Sequence, residues 1–501
     1  MTTTPTQDKR YRILSLDGGG IYGLFSILML RQLCRGDDHV CLLENGCVDL
    51  LAGTGAGAIN ALILAKYEDP RDGLDEAVEF WSDERLYRNS ALWSMATDFQ
   101  GWMSILASPA SPQEKYDQSM RYWDGKRSVL DPWNAWTEML GMGSWYGAND
   151  VLSVLRNHFD GLRLGDLKQN VLITAFDWSG DADAPTNERH WKPKVYYNFP
   201  DSEKDRRSSV VDVAMSAMSW MFNQPVYNSE QGGEWYAPDP TMCAVVKAVN
   251  FISEKLRTPI TRESFEERWK GMLADVSSLP GDWRHRQWAA QALRYRITDF
   301  FEDVIAEVED EAYKYLLQLP SDSKEADLMS VAFPYLEFIK ALARSEDDDV
   351  DVRVLRHLSV LSVGTGAKVP YLPVETAEWG YQTWSSGVPN PDLQQWIAPM
   401  QYVYFQPSTE MTGEQCQWLL NDPEAPATED RYRRLNPQVF ETPVLTTMMN
   451  LRNNPGYLAA LLREMDQHST SAAVRAEIKT ALGWMQAQGW LDKACWATNP
   501  L

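Results

Sequence analysis

Two glycine-rich turns, each directly behind a short apolar run, constrain this chain more than any other feature. The first is YRILSLDGGGIYG at 11–23 and the second is VDLLAGTGAGAINA at 48–61. Each reads as a buried strand, a tight turn and a helix, because the apolar run ends at glycines that let backbone bend or approach a ligand closely. A helix that begins at such a turn aims unpaired N–H groups into the crevice above the sheet. Those groups, with the positive helix end, favour negative charge.

The first turn alone is ambiguous. Residues 18–23 fit G-x-G-x-x-G, with Asp37 or Asp38 near the acidic position of a dinucleotide fold. A purely structural glycine turn is the plain alternative. The second turn shifts the balance: Gly53-Thr54-Gly55-Ala56-Gly57 has the frame of a nucleophile elbow, with glycines two residues either side of its centre. The centre of that frame should be serine, and here it is Gly55.

DGGGIYG followed about thirty-five residues later by GTGAGAINA resembles the patatin-like phospholipase family, whose pattern runs DGGGxRG and then G-x-S-x-G. VLITAFDWSG at 171–180 is similar to that family's central strand, and VDVAMSAMSWMF at 211–222 to the helix beside its active site. Asp239 in YAPDPT is set against its Asp-Gly-Gly or Asp-Gly-Ala aspartate, and LSVLSVGTG at 358–366 against the strand and turn that close the domain. The resemblance implies an α/β fold, a central mainly parallel sheet flanked by helices, with helical insertions. It implies a serine–aspartate dyad without histidine: Gly18, Gly19 and Gly20, with Gly23 behind them, as the oxyanion loop, Gly55 at the nucleophile position and Asp239 as the base. Tyr22, Thr54 and Ala56 are further crevice candidates, although the side chain of Thr54 should point away from an elbow's centre.

Three departures bear on that chemistry. Gly55 has no side chain, so no acyl-enzyme can form on it. Tyr22 stands where the family usually carries arginine, and Pro238 and Pro240 stiffen the turn around Asp239. The expected function is therefore binding of an acyl or lipid-type ligand without hydrolysis, or carbonyl chemistry without an acyl-enzyme. The alternative is a lipid acyl hydrolase, a phospholipase or esterase, whose serine at 55 was substituted by engineering. No cofactor and no metal enter either reading. Residues 34–47 hold Cys34, His39, Cys41 and Cys47 but no C-x-x-C, and EDDD at 346–349 lacks a calcium-loop pattern.

The net charge of −23, from 47 basic and 70 acidic residues, opposes a nucleic-acid partner. There is no apolar run of membrane-spanning length, and the polar start MTTTPTQDKR lacks a signal core, so a cytoplasmic protein with free thiols is expected.

The patatin-like domain is expected over 8–245 and 353–372, with a Trp-rich cap at 81–145 that serves as lid or as core. Residues 246–352 read as a helical insertion, clearest at 297–319 and 333–343. The remainder, 373–501, reads as an irregular wrap plus two C-terminal helices at 457–467 and 472–486. The apolar stripe of the last helix would dock on the domain or on a protein partner, a second copy included.

Overall fold

The computed structural model describes residues 10–34, 47–87, 148–180, 184–219, 226–257, 350–368, 406–421, 430–454 and 456–491, with short pieces elsewhere. The strands are β1 (Tyr11–Leu16), β2 (Leu50–Gly53), β3 (Val171–Asp177), β4 (Lys192–Tyr197), β5 (Glu230–Gly232), β6 (Leu358–Val363), β7 (Val388–Asn390), β8 (Gln395–Ile397) and β9 (Tyr432–Leu435). Seven of them form one sheet in the order β4-β3-β2-β1-β6-β9, with β5 paired to β3, while β7 and β8 make a separate antiparallel ribbon. β1, β2, β3, β6 and β9 pair in parallel; β4 and β5 join β3 antiparallel.

The apolar strands behave as their composition requires. All six residues of β1 and of β6 are buried, as expected of parallel strands covered on both faces. Leu16 at the end of β1 stands opposite Gly53 on one side and Val363 on the other. Three parallel strands therefore finish level, and the loops that leave them meet at one edge, where ligands of open α/β sheets bind.

Helices cover both faces: α1 (Gly23–Cys34), α2 (Gly55–Ala65), α3 (Gly73–Ser82), α4 (Ala148–Phe159), α5 (Val210–Met218) and α6 (Thr241–Arg257). α1 is apolar nearly all round and is buried nearly all round, packed among α2, α3 and the C-terminal helices. Every residue of α2 is buried. Gly57 is what lets α2 sit on β1: a Cβ there would lie 2.0 Å from the Leu16 carbonyl oxygen. Asn60 ties the layer together, donating to the Gly23 carbonyl at 2.8 Å and accepting from Trp81 Nε1 at 2.8 Å.

The later chain is α7 (Val350–Arg356), α8 (Gln406–Leu420), α9 (Val444–Asn453), α10 (Tyr457–Ser469) and α11 (Ala472–Ala487). α10 and α11 pack against α1, and Val474, Ile478, Ala481 and Met485 of α11 are buried. The stripe left open between the domain and a second copy is thus buried within the chain. The expected irregular wrap also contributes a seventh strand, β9. Its sequence YRRL has too few apolar residues to read as a strand, yet Tyr432 and Leu435 are buried at the sheet edge.

Of the Trp-rich cap only Trp81 to Tyr87 and a few isolated positions are described, and 297–319 and 333–343 lie outside the described residues, as do Asp37 and Asp38. Cys47, Cys243 and Cys416 are free thiols, whereas Cys34 is in a disulfide, which corrects the expectation of free thiols at that position. That expectation rested on the assumed compartment, and it no longer supports it. No helix among the described residues is long and apolar enough to cross a membrane.

Candidate active site

The site lies where β1, β2 and β6 end. After β1 the chain turns through Gly19 at φ +147° and Gly20 at φ +55°, conformations that glycine tolerates best, and enters a short 3-10 turn (Gly20–Tyr22). After β2, Thr54 is the extended residue before α2, and Gly55 opens the helix at φ +50°. Gly55 therefore holds a left-handed conformation at the strand-to-helix turn, as the elbow pattern predicts for its central residue. The N–H groups of Ala56 and Gly57 fall in the first turn of α2, which has no intrahelical acceptor to offer them.

The group facing Gly55 is the carboxyl of Glu234. A Cβ built on Gly55 would lie 1.9 Å from Glu234 Oε1 and 2.4 Å from its Cδ; one on Gly18 would lie 2.2 Å from the same oxygen. The Gly19 N–H donates to Glu234 Oε1 at 3.1 Å. A carboxyl group thus fills the space that a nucleophile's side chain would enter, and takes a hydrogen bond from the loop expected to hold an oxyanion. Glu234 is 5% exposed. Burial raises its pKa from 4.5 to about 7, opposed only by the Gly19 hydrogen bond, with no cation contributing.

Local structure puts Glu234 there. β5 pairs with the end of β3, and the Gly232–Gly233 pair that follows packs where side chains have no room: a Cβ on Gly233 would meet Thr174 Oγ1 at 2.3 Å. The 3-10 turn (Gly233–Trp235) then swings Glu234 over the elbow. Sequence reasoning missed this residue. The glycine pair just before it was the signal available.

Asp239 has a different setting from the one expected of a base. Its Oδ1 accepts from the Thr241 N–H at 2.9 Å and from the Thr241 hydroxyl. Its Oδ2 accepts from Ser362 Oγ at 3.2 Å and from Arg434 Nη1 at 2.9 Å. Arg434, on β9, also reaches Asp17 Oδ2 through Nη2 at 2.6 Å. One guanidinium thus serves two buried carboxyls. Burial, with Asp239 beside it, pushes the Asp17 pKa up to about 7 in spite of the attraction of Arg434, and the pair of carboxyls holds Arg434 above its usual range. Asp239 is hydrogen-bonded on both oxygens inside this cluster, so its structural role is to pin β6, β9 and the start of α6.

The remaining candidates divide. Tyr22 is buried in the core, stacked on Phe440 with ring centroids 4.5 Å apart, and its hydroxyl meets the Thr442 carbonyl at 2.9 Å and Thr447 Oγ1 at 2.8 Å. It is a packing residue and not a crevice group, because Phe440 and the start of α9 draw it away from the loop. Thr54 accepts from Thr174 Oγ1 at 2.7 Å, turned toward β3. Ala56 packs against Gly23, whose Cβ position lies 2.6 Å from the Ala56 methyl, and Gly20 faces Val444 and Met448. Among the described residues no group of three His, Cys, Asp or Glu is arranged to hold a metal.

Residues 14–236 match the family model described as patatin-like phospholipase. The chain carries a patatin-like phospholipase domain. It is 23% identical over 242 residues to a putative sporulation hydrolase, CotR, of Bacillus subtilis, a match covering 48% of this chain and 58% of that protein. It is 22% identical over 248 residues to Protein teg of Priestia megaterium, covering 49% and 60%. The chain therefore matches less than two thirds of the length of each of these relatives. The mostly parallel sheet, the level strand ends and the two glycine turns are this domain's framework, and Glu234 falls near the end of the matched region.

Proposed function

We propose that this patatin-like domain binds an acyl or lipid-type ligand through its glycine loop, and that no acyl-enzyme forms at position 55. The observation that carries this reading is the Glu234 carboxyl lodged against Gly55 and bonded to the Gly19 N–H. A carboxyl oxygen held by a loop amide is the geometry a ligand's carbonyl or carboxylate oxygen would adopt on displacing it.

Two further features support it. Set on the Gly232–Gly233 pair, within the matched 14–236, and no longer on Asp239, the family's Asp-Gly-Gly aspartate position holds Gln231, whose Oε1 accepts from Trp178 Nε1 at 3.1 Å and which cannot act as a carboxylate base. Beyond the edge of the site, Phe176, Trp178, Trp191 and Tyr236 form an aromatic cluster, with Phe176 and Trp178 rings 4.8 Å apart and Trp191 61% exposed. Such walls suit an apolar chain. The carboxyl lying at the Cβ position of residue 55 also leaves no room for a serine merely removed from an otherwise unchanged dyad.

Calorimetric titration with decanoate tests the proposal. Wild type should bind it, and Gly18→Val, whose side chain would project into the Glu234 carboxyl, should weaken binding at least about tenfold, a loss of about 1.4 kcal/mol. Absence of binding, or equal binding by a folded Gly18→Val, would contradict it.

A further inference from the structure

The carboxyl of Glu234 has a use that the missing serine does not exclude. It lies at the elbow, within hydrogen-bond reach of a loop amide, in a place closed to most solvent. We infer that Glu234 is the site's general base, activating water for direct attack on the carbonyl carbon of a bound ester. This rests on the acyl-binding reading above, and adds to it a reaction and a catalytic residue.

The step balances with water as the only co-reactant. One Glu234 carboxylate oxygen takes a proton from water while the water oxygen bonds to the acyl carbon. The carbonyl oxygen becomes an oxyanion, held by the Gly19 N–H that Glu234 releases as the ester enters, and by the amides at the start of α2. The tetrahedral intermediate then collapses, the bond from the acyl carbon to the alcohol oxygen breaks, and that oxygen takes the proton from Glu234. Ester and water become carboxylic acid and alcohol, with no change of oxidation state and no covalent link to the protein.

The surroundings of Glu234 fit this task. The titratable and charged groups on the elements packed around it are already engaged with one another: Asp17, Asp239 and Arg434 in one cluster, and Glu230 with Lys194 and Tyr196 in another. None of them shifts Glu234, whose proton affinity is set by burial and by Gly19. A base near neutrality combines a useful ionised fraction with a useful drive to accept a proton. An ordinary exposed glutamate would be too weak a base.

The test compares wild type, Glu234→Gln and Glu234→Asp on p-nitrophenyl decanoate, with decanoate binding measured beside it. Wild type should hydrolyse the ester with kcat/KM rising through a midpoint near pH 7. Glu234→Gln should lose at least about 100-fold in rate, the low end of what a general base contributes, while still binding decanoate. Glu234→Asp, which keeps a carboxyl drawn back by one methylene, should retain part of the rate and a pH midpoint, and guards against a misfolded glutamine variant. A single turnover in ¹⁸O-water should place the label in the released acid. Label in the peptide containing Glu234 would overturn the proposal in favour of a covalent carboxylate nucleophile. Decanoate binding without hydrolysis, or hydrolysis undiminished in Glu234→Gln, overturns the base assignment and leaves the binding reading standing. Loss of both binding and hydrolysis in wild type overturns the two together.

Discussion

Restoring serine at position 55 should damage this protein before it helps it. The left-handed backbone at Gly55, φ +50°, costs a residue with a Cβ about 1–2 kcal/mol. The new Cβ would also lie 1.9 Å from Glu234 Oε1, so the carboxyl must swing away and give up its bond from the Gly19 N–H. Leaving the buried Gly19 N–H without that partner costs about 1–3 kcal/mol. Gly55→Ser should therefore lose roughly 2–5 kcal/mol of unfolding free energy by urea denaturation at pH 5, where Glu234 is mostly protonated and its burial carries no charge penalty. In a Glu234→Ala background the collision is gone, and the same serine should cost only the backbone term, about 1–2 kcal/mol. The cycle should show a coupling of about 1–3 kcal/mol. If the two substitutions add to within about 0.5 kcal/mol, Glu234 does not occupy the elbow and the reasoning fails. The same cycle read on ester hydrolysis should show no acyl-serine in the Gly55→Ser, Glu234→Ala double variant, where neither residue 231 nor residue 234 supplies a base.

Three other outcomes follow from the same geometry. Arg434→Met leaves Asp17 and Asp239 buried beside each other without their shared cation, and should cost about 3–5 kcal/mol in denaturant unfolding. Glu234 has a folded pKa near 7 against an ordinary 4.5, so the native state favours its protonated form; the stability this gives is full below pH 4.5 and is lost as pH rises through 7. Between pH 4.5 and pH 8 wild type should lose roughly 3 kcal/mol more than Glu234→Gln does, a difference in which the parallel titration of Asp17 cancels. Tyr22→Phe removes a buried hydroxyl from the Thr442 carbonyl and Thr447, and should cost about 1–3 kcal/mol without changing decanoate binding; a changed affinity would return Tyr22 to the crevice.

Much of the framework was legible in the residues because it rests on local signals. The runs YRILSL and LSVLSV are apolar enough to be buried strands, and glycines at 18–20, 55 and 57 mark where the chain must turn sharply or approach another backbone. α1 announced its burial by being apolar on every side. The chemistry of the site was less legible, because it is made by residues far apart in sequence. Glu234 meets Gly19 across 215 positions and Arg434 meets Asp17 across 417, and no period or spacing records such meetings. Glu234 also looks ordinary in the string GGEWYAPDP; only the glycine pair before it hints that backbone is being brought close to the sheet. Asp239 drew attention by its likeness to the family's Asp-Gly-Gly or Asp-Gly-Ala aspartate, yet its distant partners come from β6 and β9, the latter a strand whose two arginines disguise it. Tyr22 was read by its place in a motif, whereas the aromatic ring of Phe440 decides where it packs.

The most direct measurement is a ¹³C NMR titration of protein labelled at the glutamate side-chain carboxyl carbons, with the Glu234 signal assigned by its loss in Glu234→Gln. A carboxyl held at the elbow against Gly55 should titrate near pH 7, and saturating decanoate should move both its shift and its midpoint by displacing it from the Gly19 amide. A midpoint near 4.5 that decanoate leaves untouched would mean that Glu234 stands in solvent, away from the loop, and that the site is not the one described.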